Sequence, residues 1–186
     1  MTAETTTTGT PTETTTPAVT TLRFGRLEVQ IAPSPGGAGA GARLALAGRL
    51  DDSSLLGELA GQVPSGDVAI DCGGITFVNS YGIREWVRLL RALEDRGAIT
   101  LVAVAESLMA QMNLIPEFAR RVQIASFHAQ YVCPACGAEA VPVVDAVAHA
   151  AELAELRMPP VACPECGAQM ELADFPERYL NIFSPG

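Results

Sequence analysis

Two near-identical units, Cys133-Pro134-Ala135-Cys136-Gly137 and Cys163-Pro164-Glu165-Cys166-Gly167, carry the most plainly written chemistry in the chain. A Cys-x-x-Cys turn sets two thiolates on one side of a tight loop, and a Gly after the second Cys lets the backbone curl around a metal. Two such turns facing each other complete a tetrahedral four-thiolate set. Cys133, Cys136, Cys163 and Cys166 are therefore expected to hold one structural Zn²⁺. Four protein ligands leave no open position for substrate, so catalysis at the metal is not expected. A dithiol redox pair is the weaker reading, because neither unit stands in a thioredoxin-like context.

A second candidate is a hydroxyl. Ser80, in Phe77-Val78-Asn79-Ser80-Tyr81-Gly82-Ile83, falls at the predicted start of a helix, where backbone N–H groups lack partners and the helix dipole favours negative charge. A phosphate added there would be held locally and would change any surface docked on that corner. The plainer reading of Ser80 is a helix N-cap. Arg84, Arg88 and Arg91 follow on one helix face, as a positive strip for an acidic partner or as a solvated face balanced by Glu85, Glu94 and Asp95. Cys72 reads as a small buried hydrophobe ending a strand. The two histidines, His128 and His149, lie beyond the α/β stretch, and no Ser-His-Asp or Cys-His set can be assembled. His128 is at most a spare ligand, and His149 reads as an exposed helix residue. The Gly-Ala stretch at 36–41 lacks the Lys-Ser/Thr ending of a phosphate loop. A non-enzymatic protein is expected.

The elements that must position these groups alternate between strand-like and helix-like patterns, which predicts an α/β domain. Leu22 to Ile31 and Arg43 to Leu46 read as antiparallel neighbours around a Pro/Gly loop. Asp51 and Asp52 are placed to cap a helix over Leu55 to Ala60, with Gly61 as its stop. A short strand over Asp67–Cys72 precedes the strongest helix, which ends at Gly97 with Ile83, Trp86, Val87, Leu90 and Leu93 on its apolar arc. Ile99 to Ala105 reads as a buried strand, Ser107 to Asn113 as a short helix broken by Pro116, and Val122 to Ser126 as the last strand. Beyond it, Asp145 to Arg157 reads as a helix between the cysteine units, and Phe175, Tyr179 and Phe183 as one packed aromatic face. Three segments result: a disordered Thr-rich tail over 1–21, an α/β domain over 22–127 and a metal module over 128–186.

This order of elements, with Gly48-Arg49-Leu50-Asp51 and Phe77-Val78-Asn79-Ser80-Tyr81-Gly82-Ile83, resembles the STAS family of bacterial anti-sigma-factor antagonists. The likeness covers roughly 22–127. It implies a STAS-like mixed β-sheet packed with helices, and the cysteine units resemble the knuckles of a zinc-ribbon module. In that family the Ser matching Ser80 is phosphorylated by a partner kinase that is also the anti-sigma factor, and the unphosphorylated form binds this partner. The resemblance thus implies a signalling role in transcription regulation, with a partner-binding surface at Asp51, Asn79, Ser80, Arg84 and Arg88. It also implies that Asp51 lies near Ser80. Here Asn79 stands where the family has an acid, and Tyr81 where it has a small residue. The alternative function is a scaffold: an unphosphorylated STAS-like domain within a larger signalling assembly.

Charge and composition bound these readings. The 186 residues carry 12 Arg, no Lys and 21 acids, a formal net charge of −9. From residue 128 onward eight acids face two arginines, so a ribbon that binds nucleic acid is disfavoured: phosphate neutralisation supplies most non-specific affinity. No apolar run reaches the ~18 residues of a membrane span. No positive charge precedes Arg23, which disfavours a targeting signal. A cytoplasmic protein is expected, consistent with thiols kept for metal.

Overall fold

The structure is a computed structural model and describes residues 19–34, 41–115 and 121–184. Most of the Thr-rich tail, the Gly-Ala stretch and Pro116 lie outside the described residues.

The alternation over Leu22–Ile31 is a hairpin rather than one strand. Strand β1 (Thr20–Phe24) pairs antiparallel with β2 (Leu27–Pro33), and Gly25 turns the chain at φ +61°. The pattern runs unbroken across the turn because the register partners Leu22/Val29 and Phe24/Leu27 share a face. Thr20 and Thr21, expected in the tail, begin this hairpin. Strand β3 (Ala42–Leu50) lies antiparallel to β2, as expected. Strands β4 (Val68–Val78), β5 (Ile99–Val102) and β6 (Gln123–Ile124) then add in parallel, giving the order β1-β2-β3-β4-β5-β6.

Parallel pairs need crossovers. A 3-10 turn (Leu56–Glu58) with α1 (Leu59–Gln62) joins β3 to β4, α2 (Ser80–Glu94) joins β4 to β5, and α3 (Glu106–Met112) precedes β6. Neither Asp51 nor Asp52 caps the first of these. The Asp51 carboxylate instead accepts from the backbone N–H and hydroxyl of Ser53 at 3.1 and 2.6 Å, a local turn that competes with capping. Gly61 lies inside α1, and Val63 ends it. Strand β4 continues past Cys72 through Gly73 and Gly74 to Val78, because one register shift against β3 takes up the extra residue before Gly74 and a second takes up Thr76. Cys72 is therefore a mid-strand core residue whose Sγ lies 3.6 Å from the Ile70 carbonyl, and burial pushes its thiol far up.

Helix α2 buries Ile83, Trp86, Leu89, Leu90 and Leu93 in the same core as Val29, Leu44, Leu46, Ile70 and Leu101. Leu89 replaces Val87 on the expected arc, and Trp86 is fully buried, so it is core and not a rim anchor.

Strand β7 (Ser126–His128) spans the expected boundary at 127 and pairs antiparallel with β10 (Val143–Asp145). Between and beyond them β8 (Tyr131–Val132), β9 (Glu139–Ala140), β11 (Val161–Ala162) and β12 (Gln169–Leu172) form an antiparallel sheet in the order β11-β12-β8-β9. The helix expected over Asp145–Arg157 shrinks to α4 (Ala150–Ala154). Asp145 ends β10, and its Oδ1 accepts from the amides of Val147 and Ala148 at 3.0 and 2.9 Å, holding a turn where helix was expected. His149 precedes α4 and is half-buried, not exposed.

Helix α5 (Pro176–Tyr179) and a 3-10 turn (Asn181–Phe183) return the chain to the first half. The rings of Tyr179 and Phe183 lie 6.2 and 5.3 Å from Phe127, whereas Phe175 is 74% exposed and stays out of the aromatic group. Phe127, Tyr131, Val144, Leu153, Met170 and Leu180 belong to the same buried cluster as the α2 face, so one core runs through both halves.

Asn113, buried at the end of α3, latches this return. Its Nδ2 donates to the carbonyls of Tyr179 and Met109 at 2.7 and 3.1 Å, and its Oδ1 accepts from the Ile182 amide at 2.9 Å. Asn113→Ala is expected to cost ~2–3 kcal/mol in urea denaturation, because it leaves buried backbone groups of the terminal turn unpaired. A loss below ~0.5 kcal/mol would mean that water replaces the amide freely. Among the described residues no helix is long and apolar enough to cross a membrane.

Candidate functional site

The two cysteine loops are built alike. In each, the first Cys donates its amide to the carbonyl two residues beyond the second Cys (Cys133 to Ala138, Cys163 to Ala168, both 2.8 Å). The Gly amide returns to the carbonyl of the first Cys at 2.8 and 2.9 Å. Gly137 and Gly167 adopt φ +75° and +74°, where a side chain is strained, and these are the glycines that the motif places. Strands β8 and β9 carry the first loop, β11 and β12 the second, and the pairing of β8 with β12 brings the loops together.

All four Sγ atoms lie within 4.8 Å of one another, with Cys133 to Cys166 at 3.5 Å and Cys136 to Cys163 at 3.6 Å. A tetrahedral ion with ~2.3 Å metal–sulfur bonds sets sulfur–sulfur edges of roughly 3.8 Å, so the cluster fits such an ion and can hold it. The thiols are free, with Cys133 and Cys163 buried and Cys136 and Cys166 exposed. Burial opposes ionisation of Cys133, yet the amides of Cys136 and Ala135 and the neighbouring thiols donate to its sulfur and bring it to about 7. At Cys136 the Ala138 amide favours the thiolate, but the crowd of neighbouring thiols and burial outweigh it and push the group up to about 12. His128 is not among the clustered ligands; it lies in β7, where its carbonyl accepts from the Tyr179 hydroxyl.

The Ser80 corner sits where β3 and β4 end side by side, Leu50 in register with Val78 and the Asn79 amide on the Leu50 carbonyl at 3.2 Å. The helix cap is Asn79, not Ser80. Its Oδ1 accepts from the amides of Tyr81 and Gly82 at 3.0 and 2.9 Å, and Ser80 is the first residue of α2. Two adjacent residues of capping type leave that choice to the backbone, which is extended at Asn79. Asn79→Ala is expected to cost ~1 kcal/mol, read from the urea midpoint, while Ser80→Ala leaves the midpoint within ~0.5 kcal/mol.

Ser80 is exposed, and its hydroxyl makes no hydrogen bond among the described residues. Gly82 backs onto β3: a Cβ there would stand 1.9 Å from the Leu50 carbonyl oxygen, so the glycine serves close packing and not access to Ser80. Asp51 follows Leu50 at this corner but is 3% exposed, with its carboxylate engaged by Ser53, by Arg49 at 3.3 Å and by Arg26 at 3.8 Å. The Ser53 hydrogen bonds, then the arginines, hold it below the usual carboxylate range against the cost of burial.

On α2, Arg84 lies over the exposed Tyr81 ring at 5.6 Å, and Arg88 pairs with Glu85. The Arg49 guanidinium lies 3.9 Å over the Phe77 ring. Arg84 was among the candidate residues, but its partner Tyr81, the Arg49–Phe77 stack and exposed Leu55 were not. The i, i+3 spacing of Tyr81 and Arg84 was a readable signal; Arg49 and Phe77 meet only through the β3–β4 register.

Fold and site define a mixed α/β protein with a four-cysteine cluster that can hold a metal ion. Comparison with protein families, with curated proteins and with solved structures finds no match.

Proposed function

We propose that the chain is a non-enzymatic regulatory module of the anti-sigma-factor-antagonist type, acting in the cytoplasm. It docks a serine kinase or anti-sigma protein through the Ser80 corner, and phosphorylation of Ser80 tunes that docking. The observation that carries this reading is the division of labour at the start of α2: Asn79 caps the helix, which leaves the exposed Ser80 hydroxyl without a structural duty. Phe77, Tyr81, Arg49 and Arg84 around it are of the residue types that dominate binding energy at interfaces. A phosphate carrying roughly −1.5 to −2 charge would compete for the same guanidinium groups.

The metal in this reading is one structural Zn²⁺, since four thiolates in a closed tetrahedral set suit a soft-tolerant ion without redox demands. The ribbon half adds rigidity and a protein-facing surface. Its acidic balance disfavours nucleic acid as its partner.

Ser80→Ala and Ser80→Asp versions used as parallel baits in native extract, with bound proteins identified by mass spectrometry, test the reading. A serine kinase or anti-sigma protein held by the Ala bait and released by the Asp bait is the expected result. Identical partners on both baits would remove the switch and favour the scaffold role.

A further inference from the structure

Among the described residues the main sheet is covered on one side only. Over Leu27–Ala32, Ala42–Ala47, Val68–Asp71 and Ile99–Val102 the buried residues alternate with others, and those on the opposite face, including Gln30, Arg43, Ala45, Ala69, Asp71 and Val102, are all half-buried or exposed. Half of this face is a parallel sheet, β3 to β6, and parallel sheets are ordinarily covered on both sides. We propose that a second copy of this chain covers it, in a two-fold dimer packed sheet face to sheet face.

Three observations point to a second copy. The surface is flat: Arg43 has Ala32 and Ala69 as its register neighbours, and Ala45 stands beside Gln30 and Asp71. Short side chains allow two sheets to approach closely. The charges are self-complementary, with one cation, Arg43, and one anion, Asp71, one strand apart and two residues along. Arg43 has no ion-pair partner among the described residues, and the Asp71 carboxylate holds the Gly73 amide at 2.9 Å. A two-fold axis sets each Arg43 against the other copy's Asp71, the reciprocal pairing of an isologous interface. Finally, the chain carries −9, so two copies repel except where a face is locally balanced. This face is so balanced, its other charges being paired, Arg23 with Glu28 at 2.7 Å and Arg49, at the end of β3, with Asp51 at 3.3 Å.

With strands about 4.8 Å apart and ~3.3 Å per residue, the sheet offers on the order of 600 Å² per copy. Stable interfaces use ~800 Å² per partner, so a micromolar dimer is expected. It does not depend on the function proposed above.

Sedimentation equilibrium of the full metal-loaded chain, from low to high micromolar concentration, is the test. The wild type should dimerise. Arg43→Asp and Asp71→Arg should each weaken association about tenfold or more by setting like charges together, and the double exchange should restore it. Ala45→Arg, which keeps both charges but breaks the flat surface, should also give monomers. Circular dichroism and Trp86 fluorescence confirm that each variant is folded. A wild type that stays monomeric at every concentration, or a dimer that ignores all four variants, overturns the proposal.

Discussion

Cys133→Ser and Cys163→Ser are each expected to abolish metal binding and to lower the melting temperature by on the order of 10 °C or more. Structural metal binding is folding free energy, and ~3–5 kcal/mol corresponds to such a shift in a chain of this size. Both residues are buried, so the serine also buries a hydroxyl in a site made for sulfur. The same change at exposed Cys136 or Cys166 should lose the metal with a smaller fall in melting temperature.

The effect should reach beyond the cysteine module. The chain has a single tryptophan, Trp86, buried in α2 on the far side of the shared core. Phe127 packs between the halves, against Tyr179 and Phe183, and Asn113 ties the terminal turn to α3. Chelation of the metal should therefore shift the urea midpoint reported by Trp86 fluorescence. Elemental analysis should give one Zn per chain before chelation. A Trp86 midpoint unmoved by chelation would show that the two halves fold independently.

Gly82→Ala is the second large effect, expected to cost ~3 kcal/mol or more. The added Cβ would stand 1.9 Å from the Leu50 carbonyl oxygen and 2.9 Å from the Asp51 amide, and both are backbone atoms at the end of a buried strand. Either α2 moves away from β3 or the strand end distorts, and each loosens the corner that holds Ser80. Gly61→Ala is the matched control, because a Cβ there meets nothing within 4 Å and α1 gains helix propensity. It should be neutral or stabilising by up to ~1 kcal/mol. Equal urea midpoints for the two variants would disprove the packing role of Gly82.

What could be read in advance follows the range of the forces involved. The cysteine knuckles were legible because a metal ligand set is a local pattern, repeated twice, with its glycines placed by the backbone conformation each loop needs. Helix α2 and the buried alternation of β2 and β3 were legible because periodicity records which side of an element meets water. The β1–β2 turn was missed because the alternation passes through it without a break. Strand β4 was cut short at Cys72 because Gly73-Gly74 resembles a stop, and only pairing with β3 shows that bulges carry the strand on. The helix expected after Asp51 forms over Leu56–Gln62 without the Asp51 cap, and the one expected over Asp145–Arg157 is cut to α4, because each carboxylate holds a local turn instead.

By itself the sequence determined the alternating α/β order, the four cysteines of the cluster and the run from Phe77 to Ile83 that opens α2, since each is set by neighbours a few positions away. Tertiary structure alone decided that Asn79 caps α2, that Arg49 meets Phe77, that one core spans both halves and that one sheet face stays open among the described residues. Those outcomes depend on strand register and on which buried groups find partners, and both are settled between segments far apart in the chain.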